Sequence, residues 1–136
     1  MLSITKIFNF ETAHRISNYN GQCSNIHGHS YELHVTVTGI PDAKSDIIFD
    51  FKELKKVVET EIINPFDHAL LLKKGTTNIE SISEMKIVLL DKEPTAERML
   101  EYMVNKMSNH LPSGIKLKRL KLFETKTSYA EWESDI

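Results

Sequence analysis

The sequence predicts an α+β fold: antiparallel strands on either side of two helices, in the order β-β-α-α-β-β. Three observations predict it. Residues 3–14 and 29–38 alternate with a period of two, the mark of strands that bury one face. Residues 51–62 and 96–107 repeat apolar side chains every three or four positions, the mark of helices packed on one side. No repeat, linker or low-complexity run divides the 136 residues, so 1–136 is expected to form a single domain with one core.

The elements follow in chain order. In residues 3–14, Ile4, Phe8, Phe10, Thr12 and His14 share one parity, and Asn9 and Glu11 share the other. His14 therefore ends the strand on the phenylalanine face, where an isolated histidine is ordinarily a packed core residue. Residues 15–26 carry Asn18, Asn20 and Gly21 and read as a loop that delivers Cys23, the only cysteine. A lone cysteine is most often a small buried hydrophobe. In the second strand Tyr31, Leu33, Val35 and Val37 face one way, and Glu32, His34, Thr36 and Thr38 the other, which makes His34 a surface histidine pointing away from His29.

At the mouth of that strand stands His27-Gly28-His29. Side chains two apart on an extended chain share a face, so both imidazoles can reach one metal ion. Gly28 is expected to let the backbone bend without crowding them. Antiparallel neighbours bring strand ends to strand starts, which makes His14 the third ligand. Three nitrogen ligands and an open position are the usual build of a catalytic zinc site. The plainer reading of the same spacing is a half-buried polar face.

Gly39-Ile40-Pro41-Asp42 breaks the strand. Asp50 is placed to cap a helix with Glu53 as its reciprocal partner, and Phe51, Leu54, Val57, Val58 and Ile62 carry that helix to about residue 63. Pro65 is expected to end it. Asp67 and His68 are adjacent, and a carboxylate beside an imidazole can fix its tautomer. The alternative is a turn that leads into an apolar strand over Ala69–Leu72. Residues 73–84 read as a polar excursion and 85–90 as a short strand.

Thr95 caps the second helix, with Glu97 in its first turn and Ala96, Met99, Leu100, Met103, Val104 and Met107 as its core stripe. Leu111-Pro112-Ser113-Gly114 ends it, and His110 near that end is given no chemistry. Residues 115–124 form the third main strand, closed by Glu124 on the parity of Leu120 and Leu122. A carboxylate on an apolar face needs a partner, such as the N–H groups of a ligand. Residues 127–133, with Tyr129 and Trp132, complete the sheet.

Composition excludes several classes. Hydrophobic residues at 40% and charged residues at 26% are ordinary for a soluble globular protein, and no apolar run spans a bilayer. A net charge of −2 gives no broad basic surface for nucleic acid. One cysteine forms no internal disulfide, and Met1–Lys6 lacks the pattern of a signal peptide, so a cytoplasmic protein is expected.

These segments together resemble the family of 6-pyruvoyltetrahydropterin synthase and 6-carboxy-5,6,7,8-tetrahydropterin synthase. The resemblance rests on Phe10-Glu11-Thr12-Ala13-His14-Arg15, Cys23-Ser24-Asn25-Ile26-His27-Gly28-His29-Ser30-Tyr31, Asp50-Phe51, Asp67-His68, Pro94-Thr95-Ala96-Glu97 and Glu124-Thr125. It implies the tunnelling fold, a four-stranded antiparallel sheet with two helices on one face. It also implies sheets joined into an oligomeric barrel, commonly a hexamer, with active sites between subunits. His14, His27 and His29 would bind one zinc ion per subunit. Cys23 would accept a proton, with Asp67 and His68 completing its relay. Glu124 would grip the pterin and is also counted in the relay, the backbone near Thr95 would help hold the ring, and Arg15 would meet the triphosphate.

The resemblance implies a zinc-dependent lyase acting on 7,8-dihydroneopterin triphosphate. The short chain and compact loop before Cys23 look more like the branch that yields 6-carboxytetrahydropterin with loss of acetaldehyde and triphosphate, toward queuosine and other 7-deazaguanines. The alternatives are the pyruvoyl branch, an aldolase-like cleavage of another pterin, and a non-catalytic metal- or pterin-binding protein. A folate-directed branch that replaces the cysteine with glutamate is disfavoured by Cys23. Arg98, where relatives often carry asparagine, and the 73–93 excursion depart from the pattern.

Overall fold

In a computed structural model of the chain, residues 1–17, 25–76 and 84–136 are described here. Strands β1 (Ser3–His14) and β2 (His27–Thr38) pair antiparallel along their whole length, from Ser3 opposite Thr38 to His14 opposite His27. Strand β5 (Lys116–Thr125) lies on the other side of β2, and β6 (Ser128–Glu133) pairs antiparallel with β5. These are the four antiparallel strands that the alternation predicts.

The sheet is nonetheless six-stranded, in the order β4-β3-β1-β2-β5-β6. Strand β3 (Ala69–Lys73) adds to β1 in parallel, and β4 (Ile87–Leu90) adds to β3 in parallel. Ala69 to Leu72 are all buried, the continuous apolar run expected of a parallel strand covered on both faces. The apolar strand offered after the Asp67–His68 turn and the short strand expected over 85–90 are thus both present, but without alternation nothing in the sequence says that they extend the same sheet.

The first helix departs from expectation at its end. Helix α1 (Phe51–Val58) passes into a π-helical turn (Glu59–Ile63) and then a short helix α2 (Asn64–Phe66). Pro65 does not stop the helical path. It sits in the first turn of α2, where its missing N–H costs no internal bond, and the wider π turn before it gives the ring room. Asp50 caps α1 by accepting from the Lys52 N–H at 2.8 Å. Glu53 does not close a reciprocal box and reaches Lys56 at 3.4 Å instead.

Helix α3 (Ala96–Ser108) is capped as predicted: the Thr95 hydroxyl accepts from the Arg98 N–H at 3.2 Å. Its stripe of Met99, Leu100, Met103 and Met107 is buried with Leu54, Val58, Ile62 and Phe66 against one face of the sheet, where Phe8, Phe10, Tyr31, Leu33, Val35, Leu120 and Leu122 meet them. Leu117 and Leu120 both join this core although three positions apart. A register shift between Thr36 and Val37 against β5 explains it, because the bulge absorbs one residue of β5. Gly28, by contrast, is plain strand paired with Ala13, and a methyl group there would lie at ordinary contact distance, 3.4 Å from the Thr12 carbonyl. The bend expected of it is not present. No helix of the described residues is long and apolar enough to cross a membrane.

Candidate functional site

The register of β1 and β2 builds the centre. With His14 opposite His27 and Thr12 opposite His29, all three imidazoles fall on the helix-covered face at one end of the sheet. Their ligand nitrogens lie within 4.8 Å of one another, and Nε2 of His14 is 3.0 Å from Nε2 of His27. A tetrahedral ion with bonds of about 2.0–2.1 Å needs its ligand nitrogens about 3.3 Å apart, so small ring rotations complete the fit.

The outer atoms of the rings are already engaged. Nδ1–H of His14 donates to the Pro94 carbonyl at 2.8 Å, and Nδ1–H of His27 donates to the Asn25 carbonyl at 2.8 Å. Such bonds fix the tautomer and turn each Nε2 lone pair inward, the support that metal-bound histidines require. His14 is 1% exposed, and burial, the largest influence, pulls its pKa below the ordinary value despite the Pro94 carbonyl and Glu124. The ring is therefore held neutral, which is the form that binds metal. Nε2 of His29 is buried without a hydrogen bond. It lies 3.1 Å from Oε1 of Glu124, but the bond angles fail, so we read a close approach rather than a formed ion pair. Two oriented lone pairs and one orphaned buried nitrogen, converging within bonding span of one point, fit a divalent cation and suit zinc's preference for imidazole.

Glu124 reaches this centre from β5. The β5–β6 register shifts between Phe123 and Thr125, so Glu124 sits at a bulge with no partner in β6. Bulges re-aim side chains beside functional sites. Next to it opens a cavity of about 530 Å³, lined by Ala96, Glu97, Glu124, Ser128, Tyr129 and Glu131, large enough for a small bicyclic ligand. Thr95 stands nearby at the start of α3. Its N–H donates to the Glu93 carbonyl at 2.8 Å, its carbonyl accepts from the Met99 N–H and its hydroxyl accepts from the Arg98 N–H, which leaves the hydroxyl proton and the second lone pair of the carbonyl to offer a ligand. Arg15 follows β1 directly and is half-buried.

Asp67 and His68 are in contact, with Nδ1 of His68 3.1 Å from Oδ2 of Asp67. Oδ1 of Asp67 accepts from the Glu11 N–H at 2.9 Å. That bond, foremost, and His68 beside it hold the Asp67 carboxyl below the usual carboxylate range. His68 has φ of 58°, the left-handed region, which costs a residue with a side chain on the order of 1–3 kcal/mol. The pair does not join the three histidines. His68 is 78% exposed and borders a hollow of about 370 Å³ with Glu11, Ala13, Gly28, His29, Ser30 and Met85, which reaches one of the three histidines but not His14 or His27. Cys23 lies outside the described residues.

The three histidines expected from the sequence do come together with Glu124 beside them, and the structure adds a contact between Asp67 and His68 that adjacency alone does not guarantee. The sequence misses the groups that orient them. The carbonyls of Pro94 and Asn25 belong to the backbone and carry no residue signature. Tyr31, read as a core residue, is fully buried with its hydroxyl 3.5 Å from Nδ1 of His14, and only its place two residues after His29 hints at that. His34 points away from His29 as expected but is half-buried rather than on the surface, 2.7 Å from Glu32 and against the Phe123 ring.

Residues 3–135 match the family described as 6-pyruvoyl tetrahydropterin synthase. A 6-carboxy-5,6,7,8-tetrahydropterin synthase of Haemophilus influenzae is 30% identical over 142 residues, covering 98% of this chain and 99% of that protein. One of the same name from Aquifex aeolicus is 27% identical, covering 97% and 98%. Among solved structures, the 6-pyruvoyl tetrahydropterin synthase of Caenorhabditis elegans superposes with a TM-score of 0.74 at 22% identity, covering 98% and 96%. That of Plasmodium vivax gives 0.75 at 16% identity and covers all of both chains. These structural likenesses speak to the fold.

Proposed function

The chain belongs to the 6-pyruvoyl tetrahydropterin synthase family, and from that premise we propose that it is a lyase converting 7,8-dihydroneopterin triphosphate and one water to 6-carboxy-5,6,7,8-tetrahydropterin, acetaldehyde and triphosphate. The observation that carries the reading is the convergence of His14, His27 and His29 on one point, with Glu124 3.1 Å from His29. The full-length relatives named for this product favour the carboxy branch over the pyruvoyl branch. The product places the enzyme in the making of queuosine and related 7-deazaguanines.

His14, His27 and His29 would hold zinc, which when bound would supply Lewis-acid polarisation of the hydroxyls on the substrate side chain. The pterin lies in the cavity beside Glu124, whose two oxygens accept from the paired N–H donors of the ring. The chain at Thr95 helps hold the ring's edge, and Arg15 meets the triphosphate. The Cys23 thiolate takes a proton from a side-chain carbon, and His68, oriented by Asp67, carries protons to and from it.

Within one chain His68 shares a hollow with His29 but lies outside the group formed by His14, His27 and His29. A homo-oligomer, a hexamer by family habit, resolves this by bringing the His68 of one subunit to the metal centre of the next. Strands β4 and β6 form the two edges of the described sheet and are the places where neighbouring sheets would join.

Incubation of the purified protein with 7,8-dihydroneopterin triphosphate, followed by mass analysis, tests the function. Acetaldehyde with a 6-carboxy product is expected. A pyruvoyl product moves the enzyme to the sister branch, fragments released from unphosphorylated dihydroneopterin make it aldolase-like, and tight pterin binding without turnover makes it a binding protein.

A further inference from the structure

The strained backbone of His68 has to be held by something. The peptide plane joining Asp67 to His68 carries the Asp67 carbonyl at one end and the His68 N–H at the other. The His68 N–H donates to the Glu11 carbonyl at 2.6 Å. The Asp67 carbonyl accepts from Nζ of Lys86 at 3.0 Å. Rotation of that one plane is the motion by which φ of 58° would relax to an ordinary negative value. Both of its ends are tied.

Lys86 makes two further ties. Its ammonium also donates to the Asn64 carbonyl, an acceptor left over in the last turn before Asp67, where a cation is favoured. Its own carbonyl accepts from the Leu70 N–H at 2.8 Å, two residues beyond His68. One residue thus grips the turn at Asn64, Asp67 and Leu70, ahead of, at and behind the strained position.

We propose that Lys86 is a positioning residue for His68, holding the Asp67–His68 peptide in the orientation that presents the imidazole for proton transfer. The catalytic half of this inference rests on the function proposed above; the conformational half does not. The contacts of Lys86 are to the backbone of the turn. It acts on the direction in which the ring leaves the backbone, and a ring that leaves wrongly by about 1 Å loses most of its proton-transfer rate.

The test compares Lys86→Met with Lys86→Arg, which can still donate to two carbonyls. In Lys86→Met, amide exchange at His68 is expected to speed up at least tenfold. Its HN–Hα coupling should move away from the left-handed value. The turnover number falls about tenfold, while KM changes less than twofold and bound metal stays at the wild-type level. Lys86→Arg recovers most of each loss, as simple destabilisation would not. Wild-type exchange and coupling at His68 in Lys86→Met would overturn the proposal, as would a turnover loss matched by loss of metal or of fold. The exchange and coupling need no substrate, so they report on Lys86 even where the wild-type chain turns over no dihydroneopterin triphosphate.

Discussion

At the scale of single residues, the site divides into groups that hold and groups that react. His14, His27 and His29 are placed so that they could hold an ion, because their outer nitrogens are tied to carbonyls or their inner nitrogen is left orphaned. Cys23 is assigned to react, and a base need not be a ligand. We therefore expect Cys23→Ala to keep its metal and lose turnover, and His27→Ala to lose metal while staying folded, with metal analysis and circular dichroism as the readouts. Metal loss in Cys23→Ala would make the thiol a ligand and reverse the assignment. Asp67 makes a pH prediction. Its carboxyl is depressed in the fold, chiefly by the Glu11 N–H. A depressed carboxyl contributes stability that is present above its unfolded pKa of about 3.9 and is lost as pH falls through the folded value. Asp67→Asn keeps the acceptor for Glu11 and removes the titration, so its stability should fall less steeply than wild type below about pH 4. Parallel acid limbs for the two proteins would show that the carboxyl is not coupled to folding.

At the scale of elements, the helix starts can be tested apart from the site. Asp50→Ala removes the cap of α1 and should cost about 1 kcal/mol in urea unfolding at fixed protein concentration, with metal content and turnover unchanged. A change in metal content would mean that α1 is coupled to the centre more tightly than its position suggests. Much of the element layout is legible in the sequence because period two and period 3.6 survive into the structure: Phe8, Phe10, Thr12 and His14 do share a buried face, and Met99, Met103 and Met107 do form a core stripe. The failures are physical rather than random. Strand β3 has no alternation because it is covered on both sides. Pro65 ends no helix because the π turn ahead of it makes room. The bulges at the two ends of β5 add residues that no periodicity registers. Lys86 was invisible because a lysine beside a polar stretch looks like any solvated lysine until its carbonyl partners are in place.

At the scale of the whole molecule, the core and the centre are separable. The packed face between sheet and helices needs no metal to close, unlike the small domains that fold only around an ion. Treatment with a strong chelator should therefore leave the far-ultraviolet spectrum intact and lower the melting temperature only by the binding contribution, restored by adding zinc. Collapse of the spectrum would make the ion a structural staple.

The pairing of His14 with His27 spans 13 residues, whereas its tie to Pro94 spans 80. Contacts close in sequence form sooner than distant ones. A newly made chain can thus gather an ion on its first hairpin while most of the protein is still unstructured, and only later lock it when the start of α3 arrives. Refolding in the presence of cobalt should show this as weak early colour followed by a slower, tighter phase; a single late step would mean that capture waits for the finished fold.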